Sequence, residues 1–268
     1  MLTVGFLGGG NMATALVGGL LRGEHADLTV HVVDHHEEKL APLAAQGAET
    51  HLELGDWVTA CDLLVLAVKP QTMQKALEPV KALLNPAGSA LSIAAGIESA
   101  ALSRWLGGYR VLRAMPNTPA MVGCGVSGLW IPEGTPEAAA DAARRVLRAG
   151  GEVVEVDSEA GIDLVGAIPG SGPAYVFRFM EALEKAGLKR GLPEASAHAL
   201  ALGTVYGAAM LARQSGEPFS WLREKVTSKG GTTAKALEVM NNRDIDAMMD
   251  EAVEAALKRT AEMKALFR

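Results

Sequence analysis

Val4-Gly5-Phe6-Leu7-Gly8-Gly9-Gly10-Asn11-Met12-Ala13 decides the fold of this chain. A short apolar run, read as a buried strand, passes through three glycines into an apolar helical pattern, which matches G-x-G-x-x-G/A with Ala13 in the third position. Gly8 permits the tight turn, Gly10 lets backbone approach a pyrophosphate, and Ala13 allows close helix–strand packing. The helix N-terminus beyond them favours phosphate charge. A glycine turn also serves purely steric ends, but this context, strand before and helix after, is that of a dinucleotide site. Leu7, Gly8, Gly9, Gly10, Asn11 and Met12 are its expected contacts.

Outward from this turn the pattern repeats. Apolar runs at 3–7, 29–33, 63–68, 89–94, 111–115, 126–130 and 153–156 read as strands of a mostly parallel sheet, several of them buried on both faces. Helical patterns at 12–22, 37–46 and 136–149 lie between them, the last with Thr135 as its expected N-cap and Pro136 at its first helical position. After Asp157 strand-like runs stop. Stretches 162–168, 174–186, 193–214, 219–227 and 233 to the C-terminus read as helices separated by glycines. The expectation is an α/β protein: a Rossmann-type dinucleotide-binding domain over residues 1–157, then an all-helical domain over 158–268. The apolar run 197–212 suggests a helix buried all round, and such a domain invites a partner subunit.

Composition narrows the function. The net charge is −6 with no block of like charge, which argues against nucleic acid and membrane surfaces as partners. The first residues lack the basic region of a signal peptide, and no apolar run reads as long enough to span a bilayer. Cys61 and Cys124 are too few and too far apart for a disulfide framework or zinc site, so a reducing cytoplasm fits. Five of the six histidines (His25, His31, His35, His36, His51) precede residue 52, and His198 reads as a core or interface histidine with a satisfied hydrogen bond. No pair stands at metal-ligand spacing along the chain, and no nucleophile–base constellation is evident. No metal is expected. Hydride transfer to an already cationic C=N bond suits such a chain, because the protein need only position it and bind its counter-charge.

Further candidates follow from strand ends, which face the ligand crevice in such sheets. Asp34 ends the second strand roughly 20 residues beyond the glycines, where an acid takes ribose hydroxyls. His35, His36 and Lys39 follow, either as a solvated loop or as partners for a 2′-phosphate, so both NADH and NADPH are expected to serve. Ala67-Val68-Lys69-Pro70, Ala94-Ala95 and Met115-Pro116-Asn117 close the next strands, with small residues and prolines suited to a flat ring. A second glycine turn, Val226-Thr227-Ser228-Lys229-Gly230-Gly231-Thr232-Thr233, stands before a helical run. It reads either as a helix cap or as an anion nest in which Ser228, Gly230, Gly231, Thr232 and Thr233 hold a substrate carboxylate.

The ordered set Gly-Gly-Gly-Asn-Met at 8–12, Ala-Val-Lys-Pro-Gln at 67–71, Ala-Ala-Gly at 94–96, Arg-Ala-Met-Pro-Asn-Thr-Pro at 113–119, Gly-Ser-Gly-Pro-Ala-Tyr at 170–175 and the 226–233 turn closely resembles pyrroline-5-carboxylate reductase. The resemblance covers essentially the whole chain. It implies reduction of Δ1-pyrroline-5-carboxylate to L-proline with NADPH or NADH, the last step of proline biosynthesis. It also implies a carboxylate on the 226–233 turn and Thr233 as the catalytic residue bonded to the ring nitrogen; Asn117, walling the nicotinamide side with Met115 and Pro116, is a further candidate to meet the substrate. The helical domain is expected to interlock with a partner's, in a homodimer or a higher homo-oligomer such as a decamer. Three residues depart from the pattern: Pro169 before Gly170, Lys229 where many members have proline, and Asp34 where NADPH-favouring members are uncharged or basic. A β-hydroxyacid dehydrogenase is disfavoured, since its lysine falls at Val176 and its asparagine at Met180. A non-catalytic redox sensor should have a damaged substrate turn, and this one is intact.

Overall fold

The computed structural model describes residues 1–22 and 27–267; His25 lies outside them. Eight strands form one sheet: β1 (Leu2–Leu7), β2 (Leu28–Val33), β3 (Glu49–His51), β4 (Leu63–Leu66), β5 (Ser89–Ser92), β6 (Val111–Met115), β7 (Gly125–Trp130) and β8 (Gly151–Glu155). Their order is β3-β2-β1-β4-β5-β6-β7-β8, parallel throughout except between β6 and β7. The order reverses between β1 and β4, so the glycine turn after β1 sits at the switch point where such sheets open a crevice. The crossovers run through α1 (Asn11–Leu20), α2 (Glu37–Ala44), α3 (Pro70–Leu77), α4 (Ser99–Trp105) and α5 (Glu137–Arg148). Two apolar clusters fill the layers, one around Phe6, Leu16, Val65 and Val146 and the other around Leu66, Met73, Ile97 and Leu102.

The chain divides into two compact units, Met1–Ser171 with Ala255–Arg268, and Gly172–Glu254. The strands end before Asp157, as expected, yet the first unit runs further. α6 (Gly161–Val165) and a π-helical turn at Gly166–Gly170 join it through buried Ile162 and Ala167. Val165 occupies the space over Gly128, where a Cβ would come within 2.5 Å of it. The chain's end joins the same unit, with Phe267 against the second cluster and Lys264 paired to Asp163 and Glu98. Arg113 on β6 is wholly buried and bonded to Glu159 at 3.1 Å, which Ser99 also holds.

The second unit holds α7 (Gly172–Leu188), α8 (Glu194–Ser215), α9 (Phe219–Lys225), α10 (Thr232–Asn242) and the first half of α11 (Ile245–Ala265). Three expectations are corrected here and one in the first unit. The helix from residue 233 is not continuous: it breaks at Asp244, in the left-handed region at φ 49°, whose carboxylate accepts the Ala247 N–H. Aspartate tolerates that conformation better than most residues. α8 is not buried all round in the single chain; only Ala197 and Ala201 are. By length and composition α8 is also long and apolar enough to cross a bilayer, contrary to the reading of the run. Finally, α5 is capped by Pro136, because the Thr135 hydroxyl donates backward to the Pro132 carbonyl at 2.6 Å.

Candidate active site

The turn after β1 is built by conformation and by vacancy. Gly8 sits at φ 106°, and a Cβ there would lie 3.1 Å from the Ala67 carbonyl, so both backbone and neighbour require glycine. Its N–H donates to Val33 O at 2.8 Å, and Ala67 N–H donates to Leu7 O at 2.9 Å, fixing the turn between β2 and β4. Gly10 caps α1 with extended backbone and no side-chain cap, and a Cβ on it would meet nothing within 4 Å. An open cradle therefore lies over the free N–H groups of α1, as a phosphate requires. Leu7 and Gly9 are buried, Met12 is half-buried, and Asn11 is exposed.

Asp34 lies beside this turn. Its carboxylate accepts the Gly9 N–H at 2.9 Å, the His36 N–H at 3.0 Å, His36 Nδ1 at 2.9 Å and Lys39 Nζ at 3.2 Å. Burial alone would raise its pKa, but these hydrogen bonds together pull it down to about 2. His36 and Lys39 are thus engaged by Asp34 itself, while His35 is exposed.

The other strand ends gather at the same edge. Ala67 and Val68 are half-buried, exposed Lys69 caps α3, and Pro70 opens it. Ala94 is buried and takes the Ser92 hydroxyl as acceptor, with Ala95 beside it. Met115 rests against Gly166 and Gly170, where a Cβ would come within 3.8 Å of it. Pro116 is buried. Asn117 ties two distant backbone segments: its amide nitrogen donates to Pro169 O at 2.9 Å and its oxygen accepts the Val126 N–H at 2.9 Å. That fastens the loop after β6 to the π-helical turn and to β7. Pro169, a departure in the sequence, supplies only its carbonyl there.

In the second unit, Thr227 ends α9 through its hydroxyl on Arg223 O at 2.6 Å. The chain then turns through Gly230 at φ 73°, and Gly231 caps α10 with no side-chain cap. A Cβ at Gly231 would fall 2.5 Å from Ser228 Oγ, so glycine is what allows that hydroxyl to lie against the helix N-terminus. Ser228, Lys229, Gly230 and Thr232 are exposed and Thr233 is half-buried. The Gly231 N–H donates to the Ser228 carbonyl at 3.0 Å and closes the turn; the first N–H groups of α10, the serine hydroxyl and Thr233 make an arrangement that can hold a small anion and orient what is attached to it.

A model of the family described as pyrroline-5-carboxylate reductase dimerisation matches residues 159–263, and one described as NADP oxidoreductase, coenzyme F420-dependent, matches residues 3–96. A pyrroline-5-carboxylate reductase of Pseudomonas aeruginosa is 39% identical over 97% of this chain and 96% of its own. The chain belongs to the pyrroline-5-carboxylate reductase family. Within that family the solved enzyme of Coxiella burnetii superposes with a TM-score of 0.92 at 35% identity, covering 97% of each chain. The Plasmodium falciparum enzyme, solved with NADP bound, superposes with a TM-score of 0.83 at 26% identity over 98% of each chain.

Sequence reasoning missed one constellation. His31 and His51, twenty residues apart, meet across β2 and β3, with His31 Nδ1 3.1 Å from His51 Nε2 and 3.5 Å from Glu49 Oε2. Burial lowers both histidine pKa values, with the nearby Glu49 charge opposing the shift. The apolar run Val30–Val33 around His31 carried the burial signal, but nothing local announces the pairing of β3. His198 has the expected partner, Glu184 at 2.9 Å, yet is exposed in the single chain. Burial pushes the Cys61 thiol up to about 12, away from any nucleophilic role.

Proposed function

We infer that this chain reduces the imine of Δ1-pyrroline-5-carboxylate to L-proline with NADPH or NADH, the last step of proline biosynthesis. The observation that carries this is the near full-length likeness to enzymes named for that reaction, with both glycine turns intact. The open cradle at Gly10 and the positive φ of Gly8 fit a dinucleotide, with Leu7–Met12 on its phosphates and Asp34 on its ribose. His35, Ala67–Pro70, Ala94 and Ala95 flank it, and Met115 and Pro116 wall its reactive ring. When bound, that group supplies the hydride.

The substrate's carboxylate rests on the N–H groups of Gly230, Thr232 and Thr233 and on the Ser228 hydroxyl, while the Gly231 N–H, which donates to the Ser228 carbonyl at 3.0 Å, closes the turn. The Thr233 hydroxyl orients the ring by bonding its nitrogen, which is already protonated and needs no strong base. Asn117 acts from behind, holding the Pro116 loop in place.

The assembly is a homo-oligomer, a homodimer or a larger form such as a decamer, in the cytoplasm, with no nucleic-acid or membrane partner. The second unit's exposed apolar helices support it. Oxidation of each cofactor at 340 nm in the presence of pyrroline-5-carboxylate is the test. Turnover dependent on the substrate is expected, and no turnover with either cofactor would overturn the reading.

A further inference from the structure

The sheet's outer edge carries a group of side chains that hydride transfer does not use. Register places Gly5 of β1 opposite His31 of β2, and His31 opposite Glu49 of β3. His51 lies two places beyond Glu49, so its side chain returns to the same face. Gly5 is what allows that face to be covered. A Cβ there would fall 2.9 Å from the Trp57 ring and 2.7 Å from Cys61 Sγ, so the indole occupies the space a side chain would have taken. It stacks on both imidazoles, 5.2 Å from the His31 centroid and 4.8 Å from that of His51, and fixes their ring planes.

The donor atoms His31 Nδ1, Glu49 Oε2 and His51 Nε2 face one another. The two nitrogens are 3.1 Å apart, the carboxylate oxygen is 3.5 Å from His31, and ligand atoms of all three residues lie within 4.8 Å. Ligands at about 2.0–2.1 Å from a tetrahedral ion stand roughly 3.3–3.4 Å from each other. Two imidazoles and one carboxylate form a donor set for a borderline divalent ion, with a fourth position left to solvent. His31 is buried and His51 half-buried, and this desolvation lowers both pKa values and favours the neutral form, which donates a lone pair, while Glu49 is exposed. Among the described residues this is the one group of three or more such ligands.

We propose that His31, Glu49 and His51 bind one divalent transition ion of the zinc type, clamping the edge strand β3 onto β2. The clamp lies next to the cofactor edge, because the His51 carbonyl accepts the Asp34 N–H at 3.2 Å. The same 3.1 Å contact is also satisfied by a simple hydrogen bond between two neutral imidazoles, and that is the alternative the experiment separates.

Untagged full-length protein, stripped with a chelator, is titrated with zinc sulfate by calorimetry, and the zinc retained after gel filtration is measured by mass spectrometry. One saturable equivalent per chain with a raised melting temperature is expected. His51→Gln and Glu49→Gln should each weaken binding at least about tenfold. Far-UV circular dichroism and the metal-free melting temperature monitor folding, and exposed Glu49→Gln carries the test should His51→Gln not fold. No saturable zinc, or zinc held equally well by the folded variants, would overturn the proposal and leave a histidine pair joined by a hydrogen bond.

Discussion

The helix after β1 is capped by Gly10 at φ −73°, ψ 176°, and the helix after the Val226–Thr233 turn by Gly231 at φ −76°, ψ 176°; neither cap uses a side chain. Two nearly identical backbone devices thus leave free N–H groups for an anion. Their housings differ. The first is locked between β2 and β4 and bonded to Asp34, while the second is closed by its own backbone, the Gly231 N–H donating to the Ser228 carbonyl at 3.0 Å. The units around them differ likewise. Both faces of the sheet are packed, whereas in Gly172–Glu254 only Ala197 and Ala201 are buried among the described residues. Phe177, Tyr206 and Phe219 are 63%, 65% and 82% exposed there. The uncovered apolar surface of the second unit accords with the dimerisation family that residues 159–263 match.

The largest expected effect therefore comes from breaking the uncovered half. Leu200, 58% exposed on α8, changed to Asp should weaken self-association by roughly 30-fold or more, as loss of an interface hot spot does, and activity should fall with it. Light scattering behind gel filtration reads this, and an assembly unchanged by Leu200→Asp would mean that this part of α8 is not the covered face.

A smaller effect sharpens the covered half. Asp34→Ser removes the carboxylate and releases His36 and Lys39, so the ratio of kcat/KM for NADPH over NADH should rise by about tenfold or more. An unchanged ratio would show that Asp34 does not set cofactor choice.

The smallest effect is one of pH. Asp34 titrates at about 2 in the folded chain against an ordinary 3.8. A depressed carboxylate stabilises fully above its unfolded value and loses that contribution as pH falls through the folded one. The melting-temperature deficit of Asp34→Asn should accordingly narrow between pH 5 and pH 2; a deficit independent of pH would place its origin elsewhere.

Much of this was legible in the sequence because the signals are local. Gly8 and Gly10 declare a turn, Asp34 ends a strand, and Gly230-Gly231 precede a helix, all within a few residues. What stayed hidden depends on partners distant in sequence. β3 is three polar residues long, too short for a periodicity, and only its pairing with β2 joins His31 to Glu49 and His51. The bonds of Asn117 to Pro169 O and the Val126 N–H likewise join residues that nothing in the local sequence connects. The burial of α8 was overread for a related reason, since composition alone does not say which of its faces the rest of the chain covers. At Asp244 a single backbone angle, rather than any loss of helical residues, ends the run.

The division of labour between the two glycine turns is tested most directly by steady-state kinetics at 340 nm on two variants. Gly10→Val places a side chain in the open cradle without straining its extended backbone, and it should raise the KM for cofactor while leaving that for pyrroline-5-carboxylate unchanged. Thr233→Ala should lower kcat by about ten- to a hundredfold, the worth of one hydrogen bond to a charged group, with the cofactor KM unmoved. The same parameter shifting in both variants, or a Thr233→Ala enzyme with kcat/KM intact, would contradict it.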